Sequence, residues 1–471
     1  MTQIPYPQSC DTPHATHITN ILAVPTTGAG YYEDLAALQA DYVPLPQRFT
    51  APPATPGFRA VREVAEAVSV GLQLSDGRVA WGDCVAVSYS GKAGRDPVFR
   101  TEDGLATIQR AVIPVLQGRP LTNFRQLAAE VDTLTETIEV TRPVSKPQPD
   151  RREGVSRREL LTAPARMLQT TGKDVPTEQV IVERQIHTAI RYGVSQALLQ
   201  AVALAKGVTM AQVIAEEWDL PLISAPVPIH AQSGSERYYN AEKMIVRRIA
   251  SLPHALVDDI PGQVGMDGTE MTRYIRWLSQ RIAGLGGENY HPTIHLDMHG
   301  ALGQIYDNQL GQMLGQLYAW ELAAQPYPLR IESPMVRESR EAQIEAMKTL
   351  RNYVRLRKMS VKLVADEWAN TLDDIRAFAD AGAADMIQIK MPDLGGIQNS
   401  VEAVLICRTA GAGAFLGGSY AETDISARAS VHVALATQAD MIMAKPGMGV
   451  DEPTSLIHNE MVRTLAQIPK T

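Results

Sequence analysis

The second half of the chain repeats one unit: a short apolar strand, a polar residue at the strand end, a loop and a helix. Apolar strands that alternate with helices predict a parallel sheet, and eight such strands predict an α/β fold with a closed (β/α)8-type TIM barrel. The predicted strand cores are Ile223–Ile229, Ala255–Val257, Thr293–Asp297, Leu329–Glu332, Lys362–Asp366, Met386–Lys390, Ala414–Gly417 and Met441–Lys445.

The first half has a mixed pattern that predicts an α+β domain over residues 1–220, ahead of the barrel at 221–471. The 471 residues fit a barrel of roughly 250 residues and a second domain. Alternation over Ala65–Leu74, a turn at 75–77 and a return strand at 79–82 predict a hairpin. Apolar periodicity predicts helices over residues 105–117, 120–134 and 188–205.

One stretch of the first half, residues 141–159, breaks this pattern with three prolines and six basic residues. Such a stretch is typical of an exposed insertion, and it is also compatible with a mobile lid or a docking loop. The residues alone leave these alternatives open.

Charge and composition narrow the location and the partners. A net charge of −8 gives no support for nucleic-acid or membrane binding, and no uninterrupted apolar run reaches the roughly 18 residues of a spanning helix. The three cysteines form no CxxC pair, which suits a reducing compartment. Since no basic and apolar leader stands at the N-terminus, we predict a cytoplasmic location.

Reactive side chains of a β/α barrel stand at the C-terminal ends of its strands. These positions hold Asp297, Glu332 and Asp366 on three successive strands. Three carboxylates at one height repel each other strongly, so they predict a bound cation. Because oxygen ligands from separate strands suit a hard divalent ion, the sequence predicts a magnesium site.

Lys390 ends the next strand and shares its inward face with Gln388. A partly desolvated lysine beside a dication has a lowered pKa, which would make Lys390 a usable base, while the metal stabilises an enediolate. The alternative is a lysine that serves only as an ion-pair partner of the carboxylates. His254, just ahead of the second strand core, is a candidate second base or acid, or a satisfied core histidine.

Two other kinds of site are disfavoured. His291, His295 and His299 suggest zinc, but residues spread along one strand cannot close on one ion as a helical pair does. His295 shares a face with Asp297 and is a candidate pocket residue. The glycine-rich segment 411–419 lacks the lysine and the helix-opening pattern of a phosphate-binding loop.

Several longer motifs resemble one enzyme family, methylaspartate ammonia-lyase of the enolase superfamily. The resemblance runs from about residue 60 to about residue 465, with an insertion at about 135–183 that is not associated with the family. The matching motifs are Gln232-Ser233-Gly234, Leu252-Pro253-His254-Ala255-Leu256, His295-Leu296-Asp297, Ile331-Glu332-Ser333-Pro334, Ala365-Asp366-Glu367-Trp368, the segment from Gln388 to Gly396, and the segment from Lys445 to Glu452.

This resemblance implies a capping domain over the barrel, a homodimer or higher homo-oligomer, and elimination of ammonia from 3-methylaspartate to give mesaconate. It implies Mg²⁺ on the three carboxylates and K⁺ as a monovalent activator. Lys390 would take the proton from carbon 3, and His254 would serve the opposite face of the substrate. Gln232 and Gln388 would hold substrate carboxylates.

The chain departs from the family pattern at positions that contact substrate in the family. Ser88 stands where the family has Gln, and Ser419 and Tyr420 stand where it has Thr and Cys. His299 replaces a Tyr after the metal aspartate. The metal and base positions are therefore intact while part of the substrate pocket is rebuilt, which leaves open 3-methylaspartate or a related aspartate-type amino acid.

Two alternatives remain. One is another proton-abstraction reaction of the enolase superfamily, a dehydration or an epimerisation of a carboxylate substrate, since these reactions share the metal residues and Lys390. The other is a non-catalytic barrel that acts as a scaffold through residues 141–159. The scaffold is disfavoured because no metal or base residue is lost.

Overall fold

The first strands of the chain form an antiparallel sheet. The structure, a computed structural model, describes residues 15–40, 43–143, 177–221, 225–255 and 257–468. Strands β1 (Ile18–Glu33), β2 (Arg62–Leu74) and β3 (Val79–Cys84) pair in that order. The predicted hairpin corresponds to β2 and β3. The edge strand β1 was not predicted, because its proline and two glycines are residues that usually interrupt strands.

Helices cover the β2–β3 hairpin. Residues Thr101–Leu116 are helical throughout: α2 (Thr101–Thr107) is followed by a π turn and then by α3 (Ile113–Leu116). Helix α4 (Phe124–Asp132) begins later than predicted, because the Asn123 side chain caps it by accepting from the backbone N–H of Gln126 at 2.7 Å. The helices are α1 (Leu35–Ala40), α2 (Thr101–Thr107), α3 (Ile113–Leu116), α4 (Phe124–Asp132), α5 (Thr188–Lys206) and α6 (Met210–Glu217).

None of the helices in the described ranges is by itself long and apolar enough to cross a membrane. The helices α5 and α6 meet the length and composition test only as a pair, with a bend of 92° between them.

A separate compact unit, Thr135–Gln185, interrupts the first half. Its described part is an antiparallel hairpin of β4 (Thr135–Pro143) and β5 (Thr177–Gln185). Most of the basic stretch at 141–159 lies outside the described residues. All other described residues belong to one unit, and the predicted domain boundary between residues 220 and 221 stays a prediction.

Eight parallel strands close into the predicted barrel, in the order β10-β11-β12-β13-β6-β7-β8-β9. The strands are β6 (Ile229–His230), β7 (Ser251–His254), β8 (Thr293–Asp297), β9 (Leu329–Glu332), β10 (Lys362–Ala365), β11 (Met386–Ile389), β12 (Gly413–Leu416) and β13 (Met441–Met443). The predictions for β8 and β9 match residue by residue.

The first two predicted strands need correction. The first lies at 229–230 and not at 223–229, of which residues 223 and 224 are outside the described ranges. The second lies at 251–254, ahead of the predicted 255–257, so that His254 ends the strand. Pro253 caused this error, because a proline has no backbone N–H and argues against a central strand.

A helix follows each barrel strand. Both predicted helices around the Lys390 strand are present: Thr371 caps the first in a capping box with Asp374, and Gly382 beyond its end has a left-handed φ of +60°. The barrel helices are α7 (Arg237–Val246), α8 (Ile260–Gln263), α9 (Thr269–Gly286), α10 (Ala301–Ile305), α11 (Leu310–Ala324), α12 (Arg340–Leu356), α13 (Leu372–Asp380), α14 (Ile397–Thr409), α15 (Asp424–Thr437) and α16 (Asp451–Gln467).

Apolar side chains fill the inside of the barrel below the polar strand ends. Val364, Met386, Phe415, Met441 and Met443 form one buried cluster. Because alternate residues of a strand share a face, Val364 lies below Asp366, and Met386 lies below Gln388 and Lys390. The barrel therefore has a packed floor and a polar upper end.

Candidate active site

Three carboxylates meet at the upper end of the barrel. Asp297 and Glu332 end β8 and β9 and are paired in register, and Asp366 follows the last residue of β10. Their side chains are buried, with relative exposures of 1%, 0% and 2%. One oxygen from each lies within 4.8 Å of the others. Among the described residues, these three form the cluster of side chains that could hold a metal ion.

The charge at this cluster favours a cation. Burial raises the pKa of Glu332 well above its usual value, and repulsion by Asp297 and Asp366 raises it further. Burial also raises the pKa of Asp297, but the ion pair with His299 outweighs this and lowers it overall. Oxygen donors on three strands are the ligands that a hard divalent ion prefers, so the residues present fit magnesium.

Lys390 follows the last residue of β11 and donates to Asp366 Oδ2. Its side chain is 14% exposed and lines the same pocket as Asp297. Burial lowers the pKa of Lys390, but the contact with Asp366 reverses this, so that the pKa is raised. Without a metal ion, Asp366 acts as a direct ion-pair partner of Lys390, and the predicted lowering beside a bound dication stays a prediction.

His254 faces Lys390 across the barrel. The strands that end at these two residues, β7 and β11, are four positions apart in a closed ring of eight. His254 Nε2 lies 3.9 Å from Asp297 Oδ2, and burial lowers the pKa of the imidazole. A buried histidine of lowered pKa is neutral at pH 7, a state in which it can accept a proton.

All the side chains predicted to contact substrate line one pocket with an empty volume of about 480 Å³. Lys390, His254 and Asp297 line it as well, so the structure brings the predicted base, partner base and substrate residues together. Glu332 and Asp366 lie directly behind the pocket surface, where they accept hydrogen bonds from the pocket residues Gln388 and Lys390 respectively. The predicted substrate residues are Ser88, Gln232, Gln388, Ser419 and Tyr420.

Three of the four positions that depart from the family pattern, Ser88, Ser419 and Tyr420, lie together in the pocket lining. Ser419 Oγ lies 2.7 Å from Ser88 Oγ and accepts from the backbone N–H of Ser88 at 3.1 Å. Tyr420 is 7% exposed and packs against β1, where a Cβ at Gly30 would lie 2.2 Å from the phenol ring. These residues form a single wall of the pocket, and the large phenol depends on a glycine opposite it.

The histidines of the zinc alternative have separate partners. His295 Nε2 lies 2.7 Å from Glu332 Oε2, and His299 Nε2 lies 2.6 Å from Asp297 Oδ2. The ring of His291 faces Tyr327. Burial lowers the pKa of His299, but Asp297 outweighs this and raises it to about 9. His295 and His299 therefore orient carboxylates, and the three histidines do not form a zinc site of their own.

Sequence reasoning missed two pocket residues of the N-terminal half, Tyr89 and Arg95. Arg95 donates from Nε to Asp393 at 2.8 Å, and its Nη2 lies 3.5 Å from Asp366. Tyr89 packs edge-on against His299 with 5.5 Å between ring centroids. No local pattern signals either residue, because both lie in a loop and their partners are more than 200 positions away.

Comparison with known proteins agrees with this geometry. Two family models match, "Methylaspartate ammonia-lyase N-terminus" at residues 16–219 and "Methylaspartate ammonia-lyase C-terminus" at residues 221–470. Methylaspartate ammonia-lyase 2 of Carboxydothermus hydrogenoformans is 42% identical over 453 residues, which cover 96% of this chain and 99% of that protein. The Clostridium tetanomorphum enzyme is 37% identical and covers 96% of this chain and 98% of that protein.

Solved structures give the same result. The Citrobacter amalonaticus enzyme, crystallised with (2S,3S)-3-methylaspartic acid, has a TM-score of 0.83 and 38% identity, covering 96% of this chain and 99% of that one. The Clostridium tetanomorphum β-methylaspartase, solved as a Mg complex, has a TM-score of 0.80 and 37% identity, covering 96% and 98%. Muconate cycloisomerase of Pseudomonas fluorescens shares the fold at 15% identity and a TM-score of 0.55, covering 90% and 84%.

These matches extend over both halves of the chain, and the fold is that of the enolase superfamily. The chain therefore belongs to the methylaspartate ammonia-lyase family of carbon–nitrogen lyases.

Proposed function

We propose that the protein eliminates ammonia from 3-methylaspartate, or from a related aspartate-type amino acid, to give an unsaturated dicarboxylate. The observation that carries this proposal is a buried carboxylate triad beside Lys390, with Asp297 and Lys390 lining one pocket. It gains support from a relative, 38% identical, that was crystallised with (2S,3S)-3-methylaspartic acid.

Asp297, Glu332 and Asp366 would hold Mg²⁺. When bound there, the ion would bind a substrate carboxylate and stabilise the negative charge that develops when the adjacent carbon loses its proton. His295, His299 and Gln388 contact the triad, and such partners keep ligand carboxylates in the orientation that binding needs. Activation by K⁺ stays a prediction from the family resemblance.

Lys390 is the proposed base that removes the proton from carbon 3. The C–H electron pair becomes the new double bond, and the C–N pair leaves with the nitrogen as ammonia. His254 is proposed to serve the opposite face of the substrate, which fits its place four strands away across the barrel. The stereochemical preference depends on which of the two groups meets the hydrogen of the bound substrate.

The pocket residues are proposed to hold the rest of the substrate. The side-chain amides of Gln232 and Gln388 suit substrate carboxylates, since each amide presents N–H donors. Ser88, Ser419 and Tyr420 form the wall that would select among aspartate-type amino acids. Gln388 also donates to Glu332, so it would link the substrate to the metal ligands.

A second candidate is a dehydration or epimerisation of a carboxylate substrate on the same residues. It is favoured by the rebuilt wall of Ser88, Ser419 and Tyr420, because these positions differ from the family pattern while the metal and base positions do not. Hydroxy acids are therefore included in the test beside amino acids.

The test incubates purified protein with Mg²⁺ and a panel of amino and hydroxy acids, while alkene absorbance and released ammonia are followed together. We expect alkene and ammonia in equal amounts from at least one aspartate-type amino acid. Alkene without ammonia, with every amino acid silent, would contradict the lyase proposal and support the dehydratase. Homodimeric assembly and a cytoplasmic location stay predictions, and light scattering on the same preparation would measure the assembly.

A further inference from the structure

Arg95 brings a permanent positive charge from the N-terminal half of the chain to the reaction pocket. Its side chain is 1% exposed and lines the pocket beside Lys390. The loop that carries it is held on both sides: Asn370 donates to the carbonyl of Ala93, and Asp96 accepts from the backbone N–H of Thr188 at 2.8 Å. The guanidinium is therefore placed by fixed contacts and not by a flexible surface loop.

Both carboxylates that Arg95 contacts also interact with Lys390. Arg95 Nη2 lies 3.5 Å from Asp366 Oδ1, while Lys390 donates to the other oxygen of the same carboxylate. Arg95 Nε donates to Asp393 Oδ2 at 2.8 Å. Asp393 is buried, and its backbone N–H donates to the carbonyl of Lys390 at 2.9 Å, which keeps it one turn from the base.

The contacts of Arg95 would affect Lys390 when Asp366 binds a metal ion. Lys390 would then lose its present partner, and Asp393, which interacts electrostatically with Lys390, would be a carboxylate available to replace it. A lysine locked into a buried ion pair is held away from the substrate, and breaking such a pair is costly. Arg95 Nε already donates to Asp393, and an arginine keeps its positive charge when a lysine gives up its proton.

We propose that Arg95 is a positioning residue that occupies Asp366 and Asp393 so that Lys390 stays directed into the pocket. This inference rests on the proposed role of Lys390 as the base. It assigns a positioning role to an N-terminal loop in a reaction whose proposed metal and base residues stand on the barrel. The alternative is that Arg95 only attaches the loop to the barrel. The two roles predict different values of kcat when the charge of Asp393 is removed from a variant that lacks Arg95.

The experiment compares the variants Arg95→Met, Asp393→Asn and the double variant, with full-length enzyme and Mg²⁺. We expect R95M to lower kcat about 10²-fold, the typical cost of a displaced catalytic group, with KM changed by no more than about threefold. The double variant should regain at least about tenfold in kcat, because the carboxylate that captures Lys390 has lost its charge.

A matched control is Arg351→Met. The Arg351 side chain is also largely buried, at 10% exposure, and it also donates from Nε to an aspartate, Asp385, at 2.8 Å, but it lies outside the pocket. We expect R351M to lower the free energy of unfolding and to keep the kcat of the folded enzyme. A wild-type kcat in R95M, or no recovery in the double variant, would overturn the proposal.

A second readout separates this inference from the proposed substrate. In a crystal structure of Mg²⁺-loaded R95M, Lys390 Nζ should lie about 3 Å from the Asp393 carboxylate, an ion-pair distance. A Lys390 that still faces the pocket would refute the positioning role even if the enzyme acts on a different amino acid. If wild type turns over no amino acid, the proposed function fails while this structural outcome still decides the role of Arg95.

Discussion

The two walls of the pocket are built in different ways. One wall, with the carboxylates directly behind it, is built from Asp297, Glu332, Asp366 and Lys390 at the ends of four consecutive barrel strands, where sheet register fixes their spacing. The other consists of loop residues held by contacts between distant segments, such as the hydrogen bond between Ser88 and Ser419, 331 positions apart. The strand-end wall carries the proposed chemistry, and the loop wall carries the proposed selection of substrate.

Replacing the base gives the largest expected effect. Lys390→Ala should lower turnover about 10⁴-fold, the upper range for loss of a proton-transfer group, because no other side chain can take the proton on that face. Solvent deuterium incorporation into the substrate, measured by NMR, reports proton removal separately from ammonia release. Lys362→Ala is the control, since Lys362 is exposed at the first position of β10. Unchanged turnover in K390A would refute the assignment of the base.

Removing one metal carboxylate should affect metal binding next. Glu332→Gln should weaken Mg²⁺ binding at least about 100-fold, because loss of a mere partner of a ligand already costs about 10–100-fold. Calorimetric titration of the metal measures this directly. Glu460→Gln is the control, because Glu460 pairs with Arg428 and His432 on the outer helices. Equal affinity in E332Q and wild type would remove Glu332 from the metal site.

The same variant predicts a pH dependence of stability without metal. The folded pKa of Glu332 is raised above its ordinary 4.5, so its contribution to stability is present below pH 4.5 and is lost as pH rises through the folded pKa. In chelator, wild type should therefore lose stability relative to E332Q as pH increases, and saturating Mg²⁺ should abolish that trend. Thermal unfolding of both proteins from pH 5 to pH 8 measures it. A difference that does not change with pH would contradict the account of the triad.

The loop wall should give the smallest effect. Ser88→Ala removes the contact with Ser419 Oγ and should raise KM about fivefold with kcat nearly unchanged, as expected for loss of about 1 kcal/mol from one hydrogen bond. Ser90→Ala is the matched control, since its buried hydroxyl donates to Val87 O at 2.8 Å in the same loop and Ser90 itself does not line the pocket. A fall in kcat as large as that of K390A would assign chemistry to the loop wall.

The residues of the strand-end wall could be predicted from the sequence, because the ends of the strands in a β/α barrel meet at one end of the barrel. Glu332 and its register partner Asp297 each end a strand whose first and last residues were predicted correctly from the sequence. The prediction failed where proline breaks the pattern, as in β7 with Pro253, and in β1. The role of Arg95 could not be predicted from the sequence, because its contact with Asp366 joins residues 271 positions apart and no local sequence pattern indicates it. The raised pKa of Lys390 was missed for the same reason, since it depends on a contact and not on strand position.

The most direct test of the central claim is a crystal structure of the enzyme soaked with Mg²⁺ and an equilibrium mixture of 3-methylaspartate and its product. The account predicts one ion at about 2.0–2.1 Å from oxygens of Asp297, Glu332 and Asp366, with Lys390 Nζ facing carbon 3 of the ligand. An ion bound elsewhere, or a ligand whose carbon 3 faces neither Lys390 nor His254, would contradict it.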